Sequence, residues 1–197
     1  MWAGRPAAAE ALLTECLGLV GSSEHVFYTA RIYELSIRAH AELTAATPGD
    51  ARLLRDHVAR ADGLLERLDG LLGELSGSPP PRVLASRAAG AAERSRIGDH
   101  GDPGLWAEAE ALWEACGDRY LAAYAASRRA EALLGLAADR KEVEACLRRA
   151  LDVADELNAR PLREELEVLA QCARIEPNAV EGPVAVTPID LIGSPHV

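Results

Sequence analysis

Alanine supplies 38 of the 197 residues, while phenylalanine and methionine occur once each. That skew limits the fold more than any other feature of the chain. Alanine and leucine head the helix-propensity ranking, and the β-branched and aromatic residues that strands favour are sparse. Small side chains fill a core only if the backbones carrying them come close together. The expected class is therefore all-α, and a β-sandwich or β-barrel is disfavoured. The length suits one domain or a short repeat array with a sizeable core.

A formal net charge of −10 argues against nucleic-acid binding by this chain alone, because a DNA-binding surface needs clustered cations to neutralise phosphates. Lys141 is the sole lysine. Electrostatics favours a protein partner or a basic ligand. Residues 1–20 contain Glu10 and Glu15, which interrupt the apolar run that a signal peptide or membrane span requires, so a soluble cytoplasmic protein is expected. Cys16, Cys116, Cys146 and Cys172 are far apart with no Cys-x-x-Cys pair, which fits four buried reduced thiols better than disulfides or zinc.

Breakers divide the chain into about eight helical segments. The first runs from Pro6 to Leu19. A second, capped by Ser23, covers Glu24 to Ala46, with Phe27, Ala30, Tyr33, Ile37 and Ala41 on one face and Tyr28, Ile32, Leu35, Ala39 and Leu43 on another. Asp50 caps a third that reaches Leu75. There Leu54, Val58, Ala61, Leu65, Leu68, Leu72 and Leu75 form a heptad seam suited to a helical hairpin or to a homodimeric coiled coil, with Gly63 and Gly70 open to close approach by another backbone. After Gly77-Ser78-Pro79-Pro80-Pro81, further helices are expected at Val83 to Ile97, Gly104 to Ala115, Tyr120 to Ala137, Lys141 to Leu157 and Pro161 to Arg174. This divides the chain into a helical-hairpin region 1–76, a Pro-rich connector 77–82, helical repeats 83–176 and an irregular tail 177–197.

Hairpins recurring at roughly 37 to 42 residues mark an α-solenoid of degenerate tetratricopeptide-like units, expected to wind right-handed. The best unit is Tyr120 to Leu157, in which Ala130 and Leu133, then Val143, Leu147 and Ala150, supply the small and large positions of the two helices.

The stretch from Leu105-Trp106 through Leu112-Trp113 to Gly117-Asp118 carries a family likeness. So do Tyr120 to Leu134 with Arg128-Arg129-Ala130-Glu131, then Asp139-Arg140, Leu147 to Ala150, and Ala159-Arg160-Pro161-Leu162 through Ile175. Together these resemble the helical-repeat region of large ATP-dependent LuxR-type transcriptional regulators. In that family the array lies between a nucleotide-binding module and a helix-turn-helix DNA reader. The resemblance implies a scaffold for transcription regulation that couples effector or partner binding to those modules. A Gly-x-x-x-x-Gly-Lys-[Ser/Thr] loop is absent from this chain, and Val186-Thr187-Pro188 is followed by no recognition helix, so the likeness implies a truncated regulator or a stand-alone remnant.

No catalytic constellation, cofactor or metal is expected. Asp99-His100-Gly101-Asp102 lacks the further ligands of a metal site and reads as a capping loop. His40 and His57 are placed to meet across the turn at Pro48, with Asp56 nearby, as a polar contact within a hairpin. Cys116 stands at a helix C-terminus, which disfavours thiolate. Tyr124, Ser127, Arg128 and Glu131 are the candidate partner-binding residues, because the first helix of a tetratricopeptide-like hairpin lines the concave surface where a protein or small-molecule effector would sit. The same residues also fit a plainer arrangement, with Tyr124 in the core and Arg128 paired with Glu131 on a solvated face. The competing function is a stand-alone helical adaptor that homodimerises through the Leu54 to Leu75 helix.

Overall fold

A computed structural model of the chain describes residues 4–20 and 26–174. Among the described residues the protein is all-helical, with α1 (Pro6–Val20), α2 (Val26–Ala46), α3 (Ala51–Gly73), α4 (Pro81–Ser95), α5 (Pro103–Ala115), α6 (Arg119–Gly135), α7 (Arg140–Glu156) and α8 (Arg160–Cys172). The all-α expectation holds, and the helix positions follow the breakers. The Ser23 cap, Ile175 and the tail 177–197 lie outside the described residues.

Aspartates start four of these helices. Asp50 accepts from Arg52 N and Leu53 N, Asp102 from Gly104 N and Leu105 N, Asp118 from Leu121 N, and Asp139 from Lys141 N, each satisfying backbone donors that have no partner within the helix. The Pro-rich connector is shorter than expected, because Pro81 is the first residue of α4. Its missing N–H is one that a first helical turn does not use.

One turn geometry closes three successive helices. Asp118 N bonds Trp113 O at 3.0 Å, Ala138 N bonds Leu133 O at 3.0 Å, and Ala159 N bonds Ala154 O at 2.8 Å. In each case the preceding residue has positive φ: Gly117 at 71°, Ala137 at 51° and Asn158 at 50°. This is a Schellman termination repeated after α5, α6 and α7. Glycine and asparagine tolerate that conformation, whereas alanine is strained in it.

Helix α2 packs against α1, α3 and α4, and from α4 onward each helix packs on the next, with α6 also touching α8. The largest core cluster runs from Ala88 and Ala92 through Trp106, Ala109 and Tyr124 to Leu147, Leu162 and Leu166. Tyr33, Leu68 and Val83 centre a second cluster, and Ile37, Ala61 and Ile97 a third. The heptad seam of α3 belongs to these two, with Ala61 and Leu68 wholly buried against the chain's own helices. That row is filled from within, and a coiled coil through it would require α2 and α4 to move away.

Close backbone approach occurs at a different glycine from those expected. A Cβ on Gly63, Gly70 or Gly73 would meet nothing within 4 Å. On Gly90 it would stand 3.2 Å from Ile37 Cδ1 and 3.8 Å from Glu34 Cα, so this position sets how near α4 comes to α2. The four cysteines are free, but only Cys146 is buried. Cys16 and Cys116 are half-buried and Cys172 is exposed, so the expectation of four buried thiols is corrected. Among the described residues no helix is long and apolar enough to cross a membrane.

Candidate functional site

Charged side chains converge where α2, α4, α6 and α8 come together, and four of them are largely withdrawn from water. Glu93, on α4, is 1% exposed. Isolated burial of a carboxylate is prohibitive, so it must be paired and hydrogen-bonded. Arg96, at the end of α4, donates to Glu93 Oε2 at 2.6 Å, and the Tyr124 hydroxyl, on α6, donates to Glu93 Oε1 at 2.5 Å. Arg38, on α2, brings its Nε to 3.9 Å from Glu93 Oε1 and its guanidinium to 4.1 Å above the Tyr124 ring. Burial alone would raise the Glu93 carboxyl, but Arg96, Arg38, Arg128 and the Tyr124 hydroxyl together hold it below its ordinary value. Tyr124 is pushed the other way, up, by burial and then by the Glu93 charge.

Arg128 connects this buried cluster to the surface. Its Nε donates to Tyr124 Oη at 3.1 Å and its Nη1 to Glu131 at 2.7 Å. Its Nη2 lies 3.3 Å from Glu42, on α2, and 3.5 Å from Glu165, on α8. One guanidinium on α6 is thus reached from both α2 and α8. A groove of about 550 Å³ opens over it, lined by Glu42, Ser127, Arg128, Glu131 and Glu165 with the apolar edge Leu166, Val168 and Leu169.

The four candidate partner-binding residues therefore divide. Tyr124 and Ser127 are buried, Tyr124 as part of the network and Ser127 with its hydroxyl donating to Tyr124 O at 2.7 Å, though Ser127 also borders the groove. Their positions on α6 turn them toward α4 and the helix backbone. Arg128 and Glu131 line the groove. The plainer arrangement is met in part, since Tyr124 is core and Arg128 pairs with Glu131, but Arg128 is mostly covered.

Arg38, Glu42, Glu93 and Arg96 were not singled out from the sequence. A signal existed in the alternation Glu34, Arg38, Glu42 at steps of four along the helix whose neighbours Tyr33, Ile37 and Ala41 are its buried stripe. Glu34 is also buried, with Oε2 lacking a hydrogen-bond partner. Burial, opposed by the Arg31 charge beside it, lifts its carboxyl to about 7.

His40 and His57 do meet across the Pro48 turn, with Nδ1 to Nδ1 at 3.0 Å. Asp56 is exposed. Burial and His57 push His40 down to about 4, so its imidazole is neutral at pH 7. Asp99 and Asp102 serve the loop backbone, and His100 packs on Gly135. Among the described residues no group of His, Cys, Asp and Glu could hold a metal ion. Arg129 and Arg149 are committed to Glu110, and Arg148 to Glu144. Comparison of the chain with protein-family models, curated proteins and solved structures finds no match.

Proposed function

We propose that this chain is a non-catalytic helical-repeat scaffold that recognises a partner on a concave face, as the helical region of LuxR-type transcriptional regulators would. The observation carrying this reading is that Glu42 and Glu165 reach the same Arg128 guanidinium from α2 and α8. A guanidinium on α6 that meets carboxylates from α2 and from α8 supports a row α2, α4, α6, α8 that curves inward there. Support for a solenoid of tetratricopeptide-like hairpins comes from the sequential packing and from the thrice-repeated Schellman turn, since a repeat array reuses one local geometry and lets each unit bury its apolar face on its neighbours.

The groove carries Glu42, Glu131, Glu164 and Glu165 against one lining guanidinium, Arg128. A protein segment bearing guanidinium or ammonium groups complements it, whereas ATP and duplex DNA are repelled. In a parent regulator, occupying this groove would bias the packing of α8 on α6 and so pass a signal along the array. Reading the genomic DNA on both sides of the coding region tests the regulator assignment. An in-frame P-loop upstream with a helix-turn-helix downstream supports it, and neither being present counts against it.

A further inference from the structure

A second groove, of about 730 Å³, lies between α1 and α3 above α2, with residues entirely different from those around Arg128. Its floor is Ser36 and His40, both buried on α2. The Ser36 hydroxyl is held by Ile32 O at 2.8 Å, and His40 Nδ1 by His57, which leaves Nε2 as the ring nitrogen available to a ligand. Leu17 of α1 and Ala59 and Leu64 of α3 give the walls an apolar lining. Gly18 and Gly63 also line it, and a Cβ on either would meet nothing within 4 Å, so the walls stand apart where the two glycines lie.

The charges of this groove differ in sign from those of the first. Arg60 and Arg67 lie seven positions apart on one face of α3 with Gly63 and Leu64 between them. Arg60 reaches Glu10 of α1 across the mouth at 3.3 Å. Thr14, one turn further along α1, donates to Glu10 at 3.4 Å. Among the described residues Arg67 has no ion-pair partner. Two guanidiniums against one carboxylate leave a single positive charge, in a chain whose net charge is −10. The planar guanidinium fork matches a carboxylate.

We propose that this groove binds a small monocarboxylate with a hydrocarbon body, its carboxylate on Arg67 and Arg60 and its chain between Leu17 and Leu64 over His40. A monoanion balances the local charge, whereas a phosphate monoester would leave charge uncompensated inside an acidic protein. The volume lies within the range of pockets that enclose small organic ligands. The site stands independently of whatever occupies the Arg128 groove.

Octanoate, octanol and octylammonium are the probes, titrated calorimetrically and followed by the histidine side-chain NMR signals. Octanoate is expected to bind with one site per chain and to shift the His40 signals, with octanol and octylammonium weaker by about tenfold or more. Arg67→Gln should weaken octanoate about tenfold while leaving melting unchanged, because the side chain is exposed and unpaired. A Cβ on Gly63 would meet nothing within 4 Å, and Gly63→Leu puts an apolar side chain into the groove in place of a helix glycine, so it should keep the fold and abolish binding. Absence of octanoate binding at millimolar concentration overturns the proposal. So does unchanged affinity in either variant, or octanol binding as tightly as octanoate.

Discussion

The Tyr124 hydroxyl on α6 donates to Glu93 Oε1 on α4 at 2.5 Å, and both side chains are buried. This bond ties α6 to α4 across a cluster rich in alanine. Ala88, Ala89 and Ala92 of α4 and Ala123, Ala125 and Ala126 of α6 belong to one cluster, and small residues alone specify register weakly. A charge-assisted bond between fixed partners supplies a register that alanine packing lacks.

Tyr124→Phe removes that donor and also the acceptor of Arg128 Nε, while leaving the ring against Trp106 and Arg38. Loss of a hydrogen bond to a buried carboxylate should cost about 1.5 to 3 kcal/mol. Urea unfolding of the variant measures it. A change below about 0.5 kcal/mol, the level of ordinary surface substitutions, would show that the bond contributes nothing to register or stability.

Glu34 makes stability depend on pH. Its folded carboxyl lies at about 7, above an ordinary value of 4.5, because burial penalises the charge more than Arg31 relieves it. A raised folded pKa means the native state holds its proton longer than the unfolded chain. The associated stability is complete below 4.5 and is lost as pH rises through about 7. Glu34→Gln removes this loss. Its advantage over the wild type should grow between pH 4.5 and 7, by about 3 kcal/mol at most, and then level off. Unfolding of both proteins at pH 5 and pH 8 checks this, and a pH-independent difference would contradict it.

The helices were legible because their starts and stops are chemical signals: Asp50, Asp102, Asp118 and Asp139 before them, Gly49, Gly98 and Gly117 between them. The charged network was not, because apolar periodicity assigns Glu34, Arg38 and Glu93 to solvated faces. Their burial follows from how α4 settles against α2 at Gly90, a tertiary event that no single helix encodes. The glycines of α3 misled for the same reason. They offered room for a neighbour, but none of the described helices occupies it.

Ala137 occupies the left-handed position that Gly117 and Asn158 fill after the adjacent helices. Ala137→Gly should relieve about 1 kcal/mol of strain, partly offset by the entropy of glycine in the unfolded chain. A raised melting temperature with unchanged helicity is the expected outcome. A lower one would mean that the alanine methyl is worth more than the strain.

Leu147 is wholly buried in the largest cluster, between the alanines of α6 and Leu162 and Leu166 of α8. Leu147→Asp places an unpaired charge there and should cost more than about 4 kcal/mol, enough to unfold a domain of ordinary stability. Circular dichroism and a melting curve read the result. A soluble variant with native helicity and melting would show that the α6 and α7 hairpin is not the structural unit assigned to it.

The Arg128 groove should select by charge. Glu131 and Glu165 divide one guanidinium between them and with Glu42, which Arg38 and Arg96 also reach, so Glu131 and Glu165 are only partly neutralised and an arriving cation gains from the remainder. An arginine-rich peptide should bind with an affinity that falls as salt rises, while a glutamate-rich peptide of equal length should not bind. Glu131→Arg reverses a half-buried position at the groove's edge and should weaken the basic peptide about tenfold or more, with a lowered melting temperature because Arg128 loses an ion-pair partner. Fluorescence anisotropy at two salt concentrations separates the outcomes. Equal binding of both peptides, or indifference to Glu131→Arg, would remove charge complementarity as the basis of recognition on this face.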